Sequence, residues 1–186
     1  EEREPLMRPQ REVVAEAIAR LTEAGLPPRV VSGGTTPAAE VMHELGNVTE
    51  IRPGTYVFND VQQMRLGVAT EAMCAARVLT TVVAHPAADR FVLDAGTKSF
   101  AADGTDGPPF PGRGVVVGRP DLRLAFMSEE HTVGHPIGDG DVAIGDRLEV
   151  IPLHVCSTVN LFDEAVGVRG GRIERTFAIA GRGRVR

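Results

Sequence analysis

Apolar positions recur at helical spacing near the start of the chain. Val13, Val14, Ala17, Ile18 and Leu21 fall on one face and predict an amphipathic helix over 12–24. Gly25 suits its C-terminal cap, and Pro27-Pro28 prevent continuation. Val30-Val31 is a short apolar run of the kind buried in parallel sheets. Thr36 then fits a helix N-cap and Pro37 the first helical position, predicting a second helix over 38–45 that Gly46-Asn47 ends. A strand candidate over 50–59 is broken by Pro53-Gly54, and Asp60 can cap a third helix reaching 69. Helices alternating with strands signal a parallel sheet. Two strands make a poor sheet alone. Residues 1–73 therefore read as the last units of a (β/α) barrel whose earlier units are absent.

Beyond Cys74 the period changes. Segments 78–84, 90–93, 122–127, 147–153, 165–168 and 172–179 are β-rich, with Gly and Pro between them. Residues 101–114 form a polar, Gly/Pro-rich loop. Short strands with such turns predict an antiparallel, barrel-like β domain over 74–186. The fold class expected is α+β, and no internal repeat is visible.

Composition narrows the function classes. The chain has 186 residues, 42% of them hydrophobic, enough for a real core. A net charge of -5 argues against a general nucleic-acid binder. The basic stretch from Arg169 to Arg186 reads as a solvated strand face and tail. No apolar run matches a membrane span, and Glu1, Glu2, Arg3 and Glu4 open no signal-peptide pattern. Cys74 and Cys156 make no disulfide framework, so the cytoplasm is the expected compartment. Lys98 is the single lysine, which limits any lysine chemistry to one position.

Four stretches carry candidate chemistry. Ser32-Gly33-Gly34-Thr35-Thr36-Pro37 joins a strand to a predicted helix start, where backbone N–H groups suit a phosphate. Arg52-Pro53-Gly54-Thr55-Tyr56 lies at the next strand. Neighbouring strand ends of a parallel barrel share a face, so the two junctions could grip one phosphate. In Ile151-Pro152-Leu153-His154-Val155-Cys156, His154 and Cys156 would share one face of a strand and offer nitrogen and sulfur to zinc. The commoner alternative there is a buried thiol beside a hydrogen-bonded histidine. Ser128-Glu129-Glu130-His131 places carboxylates beside an imidazole and makes His131 a possible acid/base group, against the simpler reading of a polar strand end. His43, His85 and His135 read as surface residues.

These stretches follow one another in a recognisable order. Val-Ser-Gly-Gly-Thr-Thr-Pro at 31–37, Thr-Glu-Ile-Arg-Pro-Gly-Thr-Tyr at 49–56, Leu-Asp-Ala-Gly-Thr-Lys at 93–98, Ser-Glu-Glu-His at 128–131, and Gly-Asp-Arg with Ile-Pro-Leu-His-Val-Cys and Thr-Val-Asn-Leu at 145–161 resemble the C-terminal half of D-threonine aldolases and D-serine dehydratases. The resemblance implies an alanine-racemase-like architecture, usually dimeric, in which a pyridoxal-phosphate barrel precedes a β domain. It implies that Gly33, Gly34, Thr35, Gly54 and Tyr56 surround the cofactor phosphate. It implies a divalent metal, zinc or another, at His154 and Cys156, with cysteine tilting towards dehydratase-like chemistry because the aldolases more often carry aspartate there. The lysine that holds the cofactor in such enzymes belongs to the first barrel strand, a region this chain lacks, and Lys98 matches a motif of the β domain instead. The expected parent is a lyase acting on a small D-hydroxyamino acid, and the chain alone is expected to be inactive. A non-catalytic dimerisation or interaction domain and a zinc-binding hydrolase without pyridoxal phosphate are the alternatives.

Overall fold

The computed structural model describes residues 4–104 and 106–184. The charged start at Glu1–Arg3 and the end of the basic stretch at Arg186 lie outside that range. Two compact units divide between Tyr56 and Val57. The division falls ahead of the expected 73/74 boundary for a packing reason. Val61, Met64, Ala69 and Cys74 are buried in one cluster with Ile151 and Leu153, so residues 57–74 belong to the β unit.

In the first unit, α1 spans Glu4–Glu23 and runs through Pro9, starting ahead of the expected residue 12. Gly25 ends it as predicted. Its φ is +74°, its N–H donates to Thr22 O (3.0 Å), and the Leu26 N–H donates to Leu21 O (2.8 Å). Two strands, β1 (Ser32–Gly33) and β2 (Glu50–Ile51), pair in parallel with Ser32 opposite Glu50. The helix expected between them does not form. Two 3₁₀ turns, Thr36–Ala38 and Met42–Leu45, take its place. Met42 and Leu45 are the buried residues of this segment, packed against Ala38, Val41 and Val48. Their spacing of three matches the three residues per turn of a 3₁₀ helix. Thr35, one residue earlier than expected, is the N-cap.

The second unit begins with α2 (Val61–Arg65), which ends before the expected residue 69 as Gly67 turns to φ +70°. Then come β3 (Val78–Ala87), β4 (Arg90–Leu93), α3 (Thr97–Phe100), β5 (Gly114–Val116), β6 (Leu122–Met127), β7 (Thr132–Pro136), β8 (Arg147–Pro152), α4 (Val155–Val159), β9 (Glu164–Arg169) and β10 (Arg172–Ala178). Six strands form one sheet in the order β5-β8-β3-β4-β7-β6, antiparallel throughout. The two edges approach each other, and the Arg113 N–H donates to Leu124 O of β6 (2.7 Å). The sheet is thus a nearly closed barrel, filled by Val82, Phe91, Leu93, Leu124, Val150 and their buried neighbours. β9 and β10 form a separate exposed hairpin. Among the described residues no helix is long and apolar enough to cross a membrane.

Pattern alone missed two strands. β5 is only three residues long, and β7 contains Gly134 and Pro136, which lower its β signal. Gly134 is there for space: a Cβ at this position would lie 2.2 Å from Phe91 Cζ, in the barrel core. Gly134→Ala is expected to destabilise the protein by about 1–3 kcal/mol through overpacking. Gly107→Ala, which meets nothing within 4 Å, should stay within about 0.5 kcal/mol. Urea unfolding of both variants checks this, and equal midpoints would show that the Phe91 ring moves aside freely.

Candidate functional site

The first candidate site is the pair of loops that follow β1 and β2. Parallel pairing puts both at the same end of the strands, as the sequence predicts. The Arg52 N–H donates to Gly33 O (3.0 Å), and the Tyr56 N–H donates to Thr36 Oγ1 (3.1 Å), which ties one loop to the other. Gly34 has φ +102°, and a Cβ on it would meet Met42 Cγ at 3.3 Å and Arg52 N at 3.7 Å. The positive φ strains any larger residue, and the Met42 side chain would also have to give by a few tenths of an ångström. Gly54 has open space around it, and Tyr56 is 58% exposed. The helix-dipole part of the expectation is corrected, since a three-residue 3₁₀ turn carries no useful dipole. Gly33 ends β1, and Gly34, Thr35, Gly54 and Tyr56 lie on the two tethered loops that follow the strands of this unit.

Two further motifs dock on each other. A Cβ on Gly96 would lie 2.4 Å from Ser128 O and 2.6 Å from His131 N. The Thr97 and Lys98 N–H groups donate to Ser128 O (2.8 Å) and Glu129 O (3.0 Å). Thr132 Oγ1 donates to Ala95 O (2.5 Å), and Asp94 accepts from Thr80 Oγ1 (2.7 Å) and the Thr81 N–H (2.8 Å). Burial alone would raise the Asp94 pKa, but these donors lower it overall. Lys98 Nζ lies 2.5 Å from Glu130 and 3.3 Å from Glu129. Glu130, then Glu129, holds its amine in the charged form. Residues 94–98 and 128–131 therefore make a clasp between β4 and the β6–β7 turn. His131 is exposed in that turn, its N–H on Ser128 Oγ (3.3 Å).

The third site surrounds His154. Here the strand expectation fails. β8 stops at Pro152, His154 is the extended N-cap of α4, and Cys156 lies inside that helix. Alternation along a strand therefore does not bring the two side chains together. The run Val-Cys-Ser-Thr-Val looks like a strand, but tertiary contacts impose the helix. Asp60, fully buried, accepts from the Gln63 N–H (3.0 Å), capping α2, and from the Val155 N–H (2.9 Å), capping α4. Thr158 Oγ1 shares its one proton between Phe100 O (2.8 Å) and His154 O (2.9 Å).

One residue that the sequence reading missed completes this site. Asp103 Oδ2 hydrogen-bonds His154 Nδ1 and accepts from Ser157 Oγ (2.6 Å). Burial pushes the Asp103 carboxyl up, while hydrogen bonds from Ser157 and then His154 bring it below the usual range. Asp103 is 51 residues from His154 and sits in a Gly-rich loop that reads only as a turn. Ser157 Oγ is 3.3 Å from the same Nδ1 that faces Asp103. A nucleophilic triad needs serine and aspartate on opposite ring nitrogens, so this trio is not one. No group of three metal-ligating side chains is present among the described residues.

Of the remaining histidines, His43 is exposed and His135 Nδ1 lies 2.7 Å from Asp89 O. His85, expected at the surface, is half-buried on β3, and its Nε2 is buried without a hydrogen-bond partner. Cys74 is buried and Cys156 exposed.

Residues 75–168 match the family described as "Putative serine dehydratase domain". A D-threonine aldolase of Arthrobacter sp is 34% identical over 189 residues, covering 98% of this chain and 47% of its own length. A 3-hydroxy-D-aspartate aldolase of Paracoccus denitrificans (strain Pd 1222) is 34% identical over 178 residues, covering 92% and 44%. The chain thus spans about half the length of these relatives. An uncharacterised protein of Mycobacterium tuberculosis (strain ATCC 25618 / H37Rv) is 37% identical over 134 residues, which are 69% of this chain but 98% of that protein. Among solved structures, D-threo-3-hydroxyaspartate dehydratase from Delftia sp. HT23 superposes with a TM-score of 0.82 at 30% identity, covering 94% of this chain and 50% of its own. Two alanine variants of D-threo-3-hydroxyaspartate dehydratase also match, with TM-scores of 0.79 and 0.80 at 28% identity. One replaces a histidine and the other a cysteine two positions later, and the cysteine variant is described as the metal-free form.

The two thiols should separate cleanly. Burial, then Asp60, pushes Cys74 from 9.0 up to about 11. The raised value means that folding favours the protonated thiol, so this contribution is intact below pH 9 and is lost as pH rises from 9 towards 11. At pH 8 iodoacetamide should label Cys156 and spare Cys74 in the native protein, and label both in urea. Native labelling of Cys74 at the rate of Cys156 would contradict the burial. Asp60→Ala removes the acceptor of both helix starts and should cost about 2–4 kcal/mol by thermal unfolding.

Proposed function

We propose that this chain, which belongs to the serine dehydratase domain family, is the C-terminal part of a pyridoxal-phosphate- and metal-dependent lyase acting on small D-hydroxyamino acids, working as a homodimer. The observation that carries the reading is the His-x-Cys start of α4, with the first residue's Nδ1 already held by a carboxylate. The dehydratase variants changed at a histidine and at a cysteine two positions on, the latter metal-free, support a metal at His154 and Cys156 here.

The residues present fit both groups. At the phosphate, Gly34 takes a φ of +102° that favours glycine, and Thr36 fastens the second loop. Gly33, Gly34, Thr35, Gly54 and Tyr56 would hold the cofactor's phosphate through backbone and hydroxyl groups. At the metal, an imidazole nitrogen and a thiolate form a donor set suited to zinc. Bound there, the two groups would supply an electron-withdrawing ring and a Lewis acid for loss of a β-hydroxyl. The chain's own part is to bind and orient. Lys98 takes no part in this, because Glu129 and Glu130 keep its amine charged and turned to the clasp. Cysteine rather than aspartate at 156 favours dehydration over carbon–carbon cleavage.

The mycobacterial relative favours a second reading. A protein almost entirely covered by this chain is consistent with a β unit used as a non-catalytic interaction module.

The protein expressed from its own gene should bind pyridoxal phosphate, seen by its visible absorbance, and release ammonia from D-serine, D-threonine or 3-hydroxy-D-aspartate with zinc added. Cys156→Ala should lower metal content and turnover together and leave the cofactor absorbance in place. Residues 1–186 alone should show no turnover. Equal zinc in wild type and Cys156→Ala by elemental analysis would reject the metal assignment. Absence of cofactor binding would favour the interaction module.

A further inference from the structure

We infer that Asp103 is the positioning residue of His154: it fixes the ring in the Nδ1–H tautomer and leaves Nε2 as the nitrogen presented to a divalent metal. The inference rests on the metal reading of His154 and Cys156 and extends it to residues outside that pair.

His154 is fixed at both ends of its peptide. Its carbonyl accepts from Thr158 Oγ1 (2.9 Å), and the next N–H is held by buried Asp60 (2.9 Å). Only the side-chain torsions remain to be set. Asp103 Oδ2 meets the ring at Nδ1. A carboxylate has only lone pairs to offer, so Nδ1 must carry the proton. The neutral ring then has its lone pair on Nε2, the form a metal requires. Ser157 spends its hydroxyl proton on the same Oδ2 (2.6 Å), which holds the carboxylate in its rotamer.

Asp103 is itself built into place. Gly104 beside it has φ +102°, and a Cβ there would lie 2.9 Å from Leu153 Cβ. That contact lets the loop lie directly on the segment leading into α4. Upstream, Phe100 O is clamped by Thr158 Oγ1 (2.8 Å). The carboxylate is therefore held on both sides by the helix it serves. Such a partner on the far nitrogen of a metal-ligating histidine typically changes metal affinity 10- to 100-fold.

The test uses the protein expressed from its own gene, stripped of metal. Two-bond ¹⁵N–¹H correlation spectra at pH 8, with the His154 signal assigned through His154→Gln, report the tautomer without any metal. Wild type should show Nδ1–H, and Asp103→Ala should move the ring to Nε2–H. Asp103→Asn keeps an acceptor oxygen and should retain the wild-type tautomer in part. Zinc titration should then show affinity about 10- to 100-fold weaker in Asp103→Ala, partly restored in Asp103→Asn. Circular dichroism checks that both variants fold, and Ser157→Ala, which keeps the carboxylate but removes one of its donors, should weaken zinc binding less than Asp103→Ala does. An unchanged tautomer in Asp103→Ala overturns the inference, whether zinc binding is kept or lost, since loss alone would make Asp103 a ligand. A wild-type protein that takes up no zinc yet shows the tautomer switch supports the positioning role and overturns the metal assignment beneath it.

Discussion

Asp60 has no solvent exposure, and its two oxygens are divided between two helix starts. One caps its own helix at Gln63, and the other reaches Val155, 95 residues away in sequence. Removing a buried carboxylate from water is costly unless donors replace the lost hydration. Helix N-termini supply such donors, with a favourable dipole and otherwise unsatisfied N–H groups. The bond to Val155 turns the chain out of β8 and into α4. Every later feature of the His154 region depends on that turn, because a strand continuing through Cys156 would carry Ser157 and Thr158 elsewhere. Asp60 also faces Cys74 closely enough to disfavour its thiolate, which adds to the effect of burial.

Much of the fold was legible in the sequence where periodicity was strong. The stretches at 90–93 and 122–127 match the observed strands residue for residue, and 147–153 runs one residue beyond its strand. Gly25 ends the first helix for the reason anticipated. What was not legible depended on contacts between distant residues. The helix expected over 38–45 yielded to 3₁₀ turns because only Met42 and Leu45 find a core. β7 was hidden by a glycine whose purpose is visible only once the Phe91 ring is placed against it. α4 was hidden because β-branched residues favour strands locally, and a carboxylate far upstream reverses that preference.

The candidate site divides in the same way. The glycine-rich loops could be read as a pair because parallel strands oblige their ends to share a side. His154 and Cys156 were visible as donors, but the arrangement expected of them, two side chains on one face of a strand, is not the one found. Asp103 could not be read at all, since an aspartate before a glycine in a polar loop is the ordinary signature of a turn. The Lys98 motif is instructive in the opposite sense. Each residue from Asp94 to Lys98 has a structural partner, so its presence in the pattern needs no catalytic explanation.

The order of the sheet has a consequence for how the chain acquires it. β3 and β8 are neighbours, yet Val78 pairs with Val150, and all the intervening β-unit strands are made between them. The hairpins β3–β4 and β6–β7 close over short loops and can form early. The β3–β8 seam must close a far longer loop and gains nothing until β8 exists. During synthesis the N-terminal half of the barrel therefore emerges with one side of β3 unpaired, and it stays so until residue 150 has left the ribosome. Along most of that unpaired side β3 reads Val-Leu-Thr-Thr-Val-Val, without a charge to discourage wrong pairing. The nearly closed barrel of the finished unit is thus preceded by an interval in which its central strand is the segment most exposed to misassembly.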